Sequence, residues 1–313
     1  MSDNSGKYIW HNGQMVPWEE AKVHVLVHAL HYGSSVFEGI RAYKTPDGTK
    51  IFRLTDHLKR LYNSAKIYSI VIPYTLDVLV ESCKEVVLLN KLTADVYIRP
   101  IAFRGLGDIG LAPKSDHPVE VAIAAIAWEP YLGSESLEQG VDVCISSWQR
   151  VSPNTIPTGA KAGGNYLSST LISTEANRLG FAEGIALTTD GTVSEGAGEN
   201  IFIVQNGVLI TPPSSESILT GITRDTVINI SKKLNIPLKE QSITREALYL
   251  ADEVFFTGTA AEITPIRSID RITIGDGSRG SVTQMLQKEF FGLFTLETAD
   301  EHGWLEDIDK KNN

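Results

Sequence analysis

Lys161 stands among Gly159, Ala160, Ala162, Gly163 and Gly164. These neighbours add almost no bulk and let a backbone come close to a planar ligand. A lysine condenses with a carbonyl only when its amine is available unprotonated, which burial or nearby positive charge brings about. Alone, the same residue reads sooner as a solvated loop lysine, and other segments must decide. Downstream, TDGTVSEGAGEN carries Glu195 and Glu199. Four positions apart, they share a side if one strand runs through both. Either could hold a proton on a heteroaromatic ring nitrogen and so make the ring an electron sink, or be an acid exposed on a turn.

LTGITRD supplies Gly221, the hydroxyl of Thr223 and the unpaired amides of a helix start, a combination suited to phosphate. An ordinary helix cap is the alternative. FTGTAAEIT adds Thr257, Gly258 and Thr259, further donors for a phosphate or a carboxylate. A phosphorylated pyridine aldehyde needs a lysine, an acid and phosphate donors together.

The elements that must position these residues are legible in part. Asn12-Gly13, between YIW and QMVPW, signals a two-residue hairpin. DHLKRLYNSAKIYS spaces Leu58, Leu61, Tyr62, Ala65 and Tyr68 as a helix, with Asp56 as a candidate cap and Arg60 riding on it. A second helix is expected over 76–90, followed by the strands VYIRPIAF and VEVAIAAIAW. Polar, turn-forming residues then mark a connection. The expected division is a domain over 1–127, a connection over 128–137 and a second domain over 138–313.

The second part opens on the strand VDVCISSW and passes Lys161 in a loop before a helix, NYLSSTLISTEANRL. Turns at Asp190-Gly191 and Asn206-Gly207 predict a meander rather than repeated βαβ units. A helix over ITRDTVINISKKL, strand and loop over EVFFTGTAAEITPI, and a last helix over VTQMLQKEFFGLF complete an α+β chain.

With 313 residues, 42% apolar and 21% charged, the chain has the makeup of a globular protein of two domains. A formal net charge of −10 argues against nucleic acid as a partner, since phosphate backbones attract basic surfaces. Two cysteines, Cys83 and Cys144, are too few for a disulfide-stapled scaffold, so reduced thiols and the cytoplasm are expected. No apolar stretch reaches membrane-spanning length, and no signal-peptide core opens the chain. His24, His28 and His31 have a helical spacing that metal ligands sometimes use, but no nearby acid or cysteine completes a shell, and no metal is expected.

HALHYGSSVFEGIRAY, YIRP, NTIPTGAKAGGNYLSS, SEGAGENIF, LTGITRD and FFTGTAAEITPIRSID, in that order, resemble the branched-chain-amino-acid aminotransferases, especially the bacterial ones. The resemblance runs from Tyr8 to about Trp304. It implies the two-domain fold-type IV architecture of pyridoxal-phosphate enzymes, with a smaller α/β domain, a larger β-barrel-like domain with helices, and an active site between them. Lys161 would carry pyridoxal 5'-phosphate as a Schiff base, Glu195 rather than Glu199 would meet the pyridine nitrogen, and Tyr166 would bond the ring's phenolic oxygen. Arg60, Gly221, Ile222, Thr223 and Thr259 would bind the phosphate, and Leu219 would pack against the ring.

By the same resemblance Tyr32, Phe37, Trp128 and Tyr131 would surround an apolar substrate side chain, with Gly39 in the same pocket. Tyr97, Thr259 and Ala260 would lie near the α-carboxylate. Arg99 would receive the second carboxylate of glutamate. The loop RGLGDIGLAP departs from the family pattern, placing Leu111 where a small apolar residue usually reaches a neighbouring subunit's pocket.

A homo-oligomer is implied, at least a dimer; some bacterial relatives form hexamers. The implied reaction moves the amino group of L-leucine, L-isoleucine or L-valine to 2-oxoglutarate. D-amino-acid aminotransferase and aminodeoxychorismate lyase share the cofactor chemistry; EGIRAY and YIRP favour the branched-chain reading.

Overall fold

The computed structural model describes residues 6–93, 95–128 and 135–308. Two compact units emerge. One comprises Met1–Glu129, Ala160–Asn165 and Phe294–Asn313; the other comprises Pro130–Gly159 and Tyr166–Leu293. The Lys161 segment and the chain's end are thus counted with the first unit.

The first unit is built on an eight-stranded sheet. Its order is Leu305–Asp307, Gly48–Phe52, Ile40–Thr45, Val96–Arg104, Val119–Ala127, Tyr8–His11 and Gln14–Pro17, with Ser35–Phe37 also pairing with Val96–Arg104. All these pairings are antiparallel. The expected hairpin is present: Asn12 and Gly13 adopt φ of 49° and 90°, the left-handed pair that a type I′ turn requires.

Alternation gives this sheet two different faces. Val36, Ile98, Ala102, Val121, Ile123 and Ala125 point into a core completed by Leu54, Leu58, Leu61 and Ala65 of the helix Leu54–Ile67 and by Leu79, Cys83, Val86 and Val87 of the helix Leu76–Leu89. Thr75 caps the second helix, accepting from Val78 N at 3.4 Å. Asp56 is not the cap of the first. Arg53 precedes that helix in the left-handed region, and Asp56, inside the first turn, accepts from Arg53 Nε at 2.8 Å.

The second unit holds a nine-stranded sheet. Its order is Val193–Gly196, Glu183–Leu187, Val141–Ile145, Glu262–Ile269, Glu253–Gly258, Asn200–Gln205, Val208–Thr211 and Leu238–Glu240, with Ile272–Thr273 on Glu262–Ile269. The turns at Gly191 and Asn206-Gly207 make hairpins as expected.

The two hairpins do not join into a meander, because Val193–Gly196 and Asn200–Gln205 are not neighbours in the sheet, and parallel pairs tie that stretch to strands outside it. Val141–Ile145 pairs in parallel with Glu183–Leu187, and Val208–Thr211 with Leu238–Glu240; the helices Tyr166–Arg178 and Ile222–Lys233 lie in the respective connections. Parallel neighbours need such crossovers, and turn signals alone do not reveal them.

Candidate active site

In the first unit the face opposite the core carries the predicted chemistry. Tyr97 and Arg99 lie two residues apart on one strand, Phe37 stands opposite Ile101, and Ile126, two residues before Trp128, pairs with Tyr97. Alternation therefore puts Phe37, Tyr97, Arg99 and Trp128 on one side. Tyr97 stacks on Trp128 with centroids 4.5 Å apart, and Arg99 Nη2 donates to Tyr97 Oη at 2.7 Å. The Arg99 guanidinium lies 4.9 Å from the centre of the Phe37 ring. Gly39 makes room for this cluster, because a Cβ there would sit 2.0 Å from Tyr97 Oη.

Lys161 is tied to the same strands. Its amide donates to Ser64 Oγ at 3.0 Å, its carbonyl accepts from Phe37 N at 3.0 Å, and Ala162 bridges Val36. The Nζ lies 5.0 Å from the Phe37 ring centre. Asn165 closes the loop by donating to Ala160 O and accepting from Tyr68 Oη, both at 3.0 Å. The glycines around Lys161 serve packing as much as ligand access. A Cβ on Gly163 would meet Ser35 Oγ at 2.4 Å, and Gly164 N donates to Gly33 O.

Arg60, on the helix Leu54–Ile67, is held in an ion pair. Its Nε and Nη2 grip both oxygens of the fully buried Glu38 at 2.7 and 2.8 Å. His57, one turn earlier, pairs through Nδ1 with Glu38 Oε2 at 2.8 Å. Burial by itself would raise Glu38, but the Arg60 charge and hydrogen bonds, with help from His57, hold it well below the usual carboxylate range. Burial lowers His57 in turn, against the pull of Glu38.

Tyr32 and Leu111 lie elsewhere in this unit, both exposed. They are linked through His28, which packs on Tyr32 with centroids 4.6 Å apart and pairs through Nε2 with Gly110 O at 2.9 Å. Tyr131 lies outside the described residues.

In the second unit Glu195 is the organising carboxylate. Its Oε1 pairs with Arg150 Nη2 at 2.7 Å, and its Oε2 accepts from Asn200 Nδ2 and Leu219 N, each at 3.0 Å. Asn200 Nδ2 also donates to Leu219 O at 2.8 Å, so the Leu219 backbone is held from both ends. Glu199 takes a different place. The strand ends at Gly196, whose amide turns back to Glu199 O, and Glu199 Oε2 accepts from Gly198 N at 3.0 Å. Continuation of one strand through both acids was the premise that failed.

Gly221 is the N-cap of the helix Ile222–Lys233, with Thr223 buried in its first turn. A Cβ at Gly221 would come within 2.0 Å of Asn200 Oδ1, so the helix start presses against the group that holds Glu195. Thr257 pairs across the ladder with Asn200, and its buried Oγ1 has no hydrogen-bond partner among the described residues. Thr259 and Ala260 form the turn that follows. Tyr166 opens the helix Tyr166–Arg178.

Sequence reasoning missed Arg150, Asn200, Glu38, His57 and Ser64. Arg150 alone left a signal, as the one charged residue between Asp142 and Lys161.

The Amino-transferase class IV profile matches residues 35–269, and the chain belongs to that family. It is 54% identical to the branched-chain-amino-acid aminotransferase of Escherichia coli (strain K12) over 310 residues, 99% of this chain and all of the relative. The Pseudomonas aeruginosa protein of the same name is 46% identical over 304 residues, covering 97% and 98% of the two chains.

Among solved structures, an Escherichia coli branched-chain amino acid aminotransferase superposes with a TM-score of 0.96 at 55% identity, over 97% of this chain and 100% of that one. The Thermobaculum terrenum branched-chain amino acid aminotransferase, solved in its PLP-form, gives 0.90 at 34% identity, over 98% and 100%. These neighbours make the fold the α+β, fold-type IV class.

The residues present fit pyridoxal 5'-phosphate. The first unit supplies a lysine whose main chain is fixed, and the second supplies a buried, oriented carboxylate; an amine and an acid are groups this cofactor requires. The glycine-opened helix start and the Thr257 hydroxyl, which has no partner among the described residues, are donors of the kind an anion needs.

Proposed function

We propose that this chain transfers the amino group of L-leucine, L-isoleucine or L-valine to 2-oxoglutarate, forming the branched-chain 2-oxo acid and L-glutamate in a ping-pong cycle. The observation that carries this reading is the Phe37–Arg99–Tyr97–Trp128 cluster beside Lys161. It offers an apolar wall for a branched side chain and a single guanidinium for the second carboxylate of glutamate.

Pyridoxal 5'-phosphate, when bound, supplies the aldehyde that takes up the amino group and the ring that draws electrons from the substrate Cα. Lys161 Nζ removes the Cα proton and holds it for return, as a general base and then acid. Glu195 holds a proton on the ring nitrogen, and Tyr166 donates to the phenolic oxygen. Arg60, Gly221, Ile222, Thr223 and Thr259 bind the phosphate, and Leu219 packs on the ring. Tyr97, Thr259 and Ala260 orient the substrate carboxylate. Phe37, Gly39 and Trp128 shape the apolar pocket, which Tyr32 and Leu111 of a second copy complete; Tyr131 is assigned to the same substrate side chain.

The exposed Val25, Leu26, Leu30, Tyr32, Ile109 and Leu111 suit burial against a second copy, and the working form is a homo-oligomer, a dimer at minimum. Light scattering checks this. Among the described residues no helix is long and apolar enough to cross a membrane, and both cysteines are free and buried, in keeping with work in the cytoplasm.

The deciding experiment incubates the holoenzyme with a panel of L- and D-amino acids plus 2-oxoglutarate and measures glutamate and the matching oxo acid. Glutamate should form with L-leucine, L-isoleucine and L-valine. Activity confined to D-amino acids, or pyruvate release without an acceptor, would overturn the reading.

A further inference from the structure

We infer that Glu38 and His57 are positioning residues that set the guanidinium of Arg60 for the cofactor phosphate. The inference rests on the reading of Arg60 as a phosphate ligand.

Glu38 follows Phe37 and alternates to the core side of the sheet, the side of Val36, where the helix Leu54–Ile67 packs. Its backbone is fixed by donation from Glu38 N to Pro100 O at 2.9 Å. An ionised acid has no solvent there, so its oxygens must be paired. His57 and Arg60, three residues apart, share one helix face and supply the partners. With Nε and Nη2 on the two Glu38 oxygens, the plane and heading of the guanidinium are set. The His57 contact to Oε2 keeps the carboxylate from rotating out of that plane.

The charges fit this role. Among the described residues Glu38, then Arg60 and Lys161, are the charged groups that act most on His57. With His57 buried and neutral, the carboxylate and guanidinium cancel. Glu38 therefore adds no attraction for an anion; what it adds is orientation. The two contributions predict opposite outcomes. If charge alone mattered, removing Glu38 would strengthen phosphate binding. If orientation matters, removing it weakens binding.

The test compares the affinity of the apoenzyme for pyridoxal 5'-phosphate with that for pyridoxal, which lacks the phosphate. Glu38→Gln and His57→Leu should each lower the preference for the phosphorylated form roughly 5–10-fold, with pyridoxal affinity unchanged. His57→Asn, which keeps an N–H near the Nδ1 position, should restore most of it. Arg60→Lys, which cannot make the two-pronged grip, serves if Glu38→Gln does not fold, and should show the same loss.

An unchanged or strengthened preference in these variants would overturn the inference. Arg60→Gln separates the two claims. If it leaves the preference intact, Arg60 is not a phosphate ligand. If it abolishes the preference while Glu38→Gln and His57→Leu do not, only the positioning role fails.

Discussion

Arg150 Nη2 lies 2.7 Å from Glu195 Oε1, and each side chain is only 7% exposed. Arg150 itself is held by donation from its amide to Leu187 O at 2.9 Å. Asn200 and Leu219 cover the other oxygen of Glu195, so the carboxylate is both charge-paired and aimed. The role proposed for Glu195, holding a proton on the ring nitrogen, needs both properties.

Breaking this pair leaves a buried charge without its counter-ion. Arg150→Met should destabilise the protein by about 3–5 kcal/mol, read as an earlier urea unfolding midpoint. Adding Glu195→Gln should recover part of that loss, because the stranded charge goes with it. A single mutant that unfolds at the wild-type urea concentration would show the pair to be unimportant.

Gly39→Ala tests the fit around Tyr97. The new Cβ would stand 2.0 Å from Tyr97 Oη and 2.8 Å from its Cζ, and the ring, stacked on Trp128, has little room to yield. Overpacking of this kind costs about 1–3 kcal/mol. We expect kcat/KM for leucine to fall by about tenfold or more, with the far-ultraviolet dichroism of the wild type retained. Unaltered steady-state kinetics would remove Tyr97 from the substrate pocket.

Lys161→Ala should leave the loop in place, since Ser64 and Phe37 hold main-chain atoms of Lys161. Glutamate formation should then stop after no more than one cycle. Turnover that continues over many cycles, followed by product against time, would deny Lys161 its role.

Glu183 makes stability depend on pH. Burial, with the neighbouring carboxylate of Glu199, pushes it up to about 8, although Gly184 N and the Ser173 hydroxyl favour its ionised form. An acid raised in the folded state contributes stability that is complete below its unfolded value of 4.5 and withdrawn as pH climbs to about 8. Glu183→Gln keeps an acceptor for Gly184 N and cannot ionise. Its thermal midpoint should therefore fall less than that of the wild type between about pH 5 and pH 8. Parallel curves for the two proteins would sink the assignment.

The sequence by itself determined what depends on near neighbours. Asn12-Gly13 specifies its turn through left-handed backbone angles that few other residues tolerate. The apolar spacing of Leu58, Leu61 and Ala65 specifies a helix and its buried side. Lys161 and the ordered motifs around it carried the class of chemistry, and the family match agrees with that expectation.

Periodicity says that a face is buried; it does not say by what. Only the tertiary structure paired Arg150 with Glu195, His57 with Glu38, and Thr257 with Asn200, residues that no local pattern connects. It also brought Leu305–Asp307 onto the edge of the first sheet, and it separated Glu195 from Glu199 by a turn. A buried charge takes its partner from whichever segment the packing brings within hydrogen-bonding reach, and that choice is made in three dimensions.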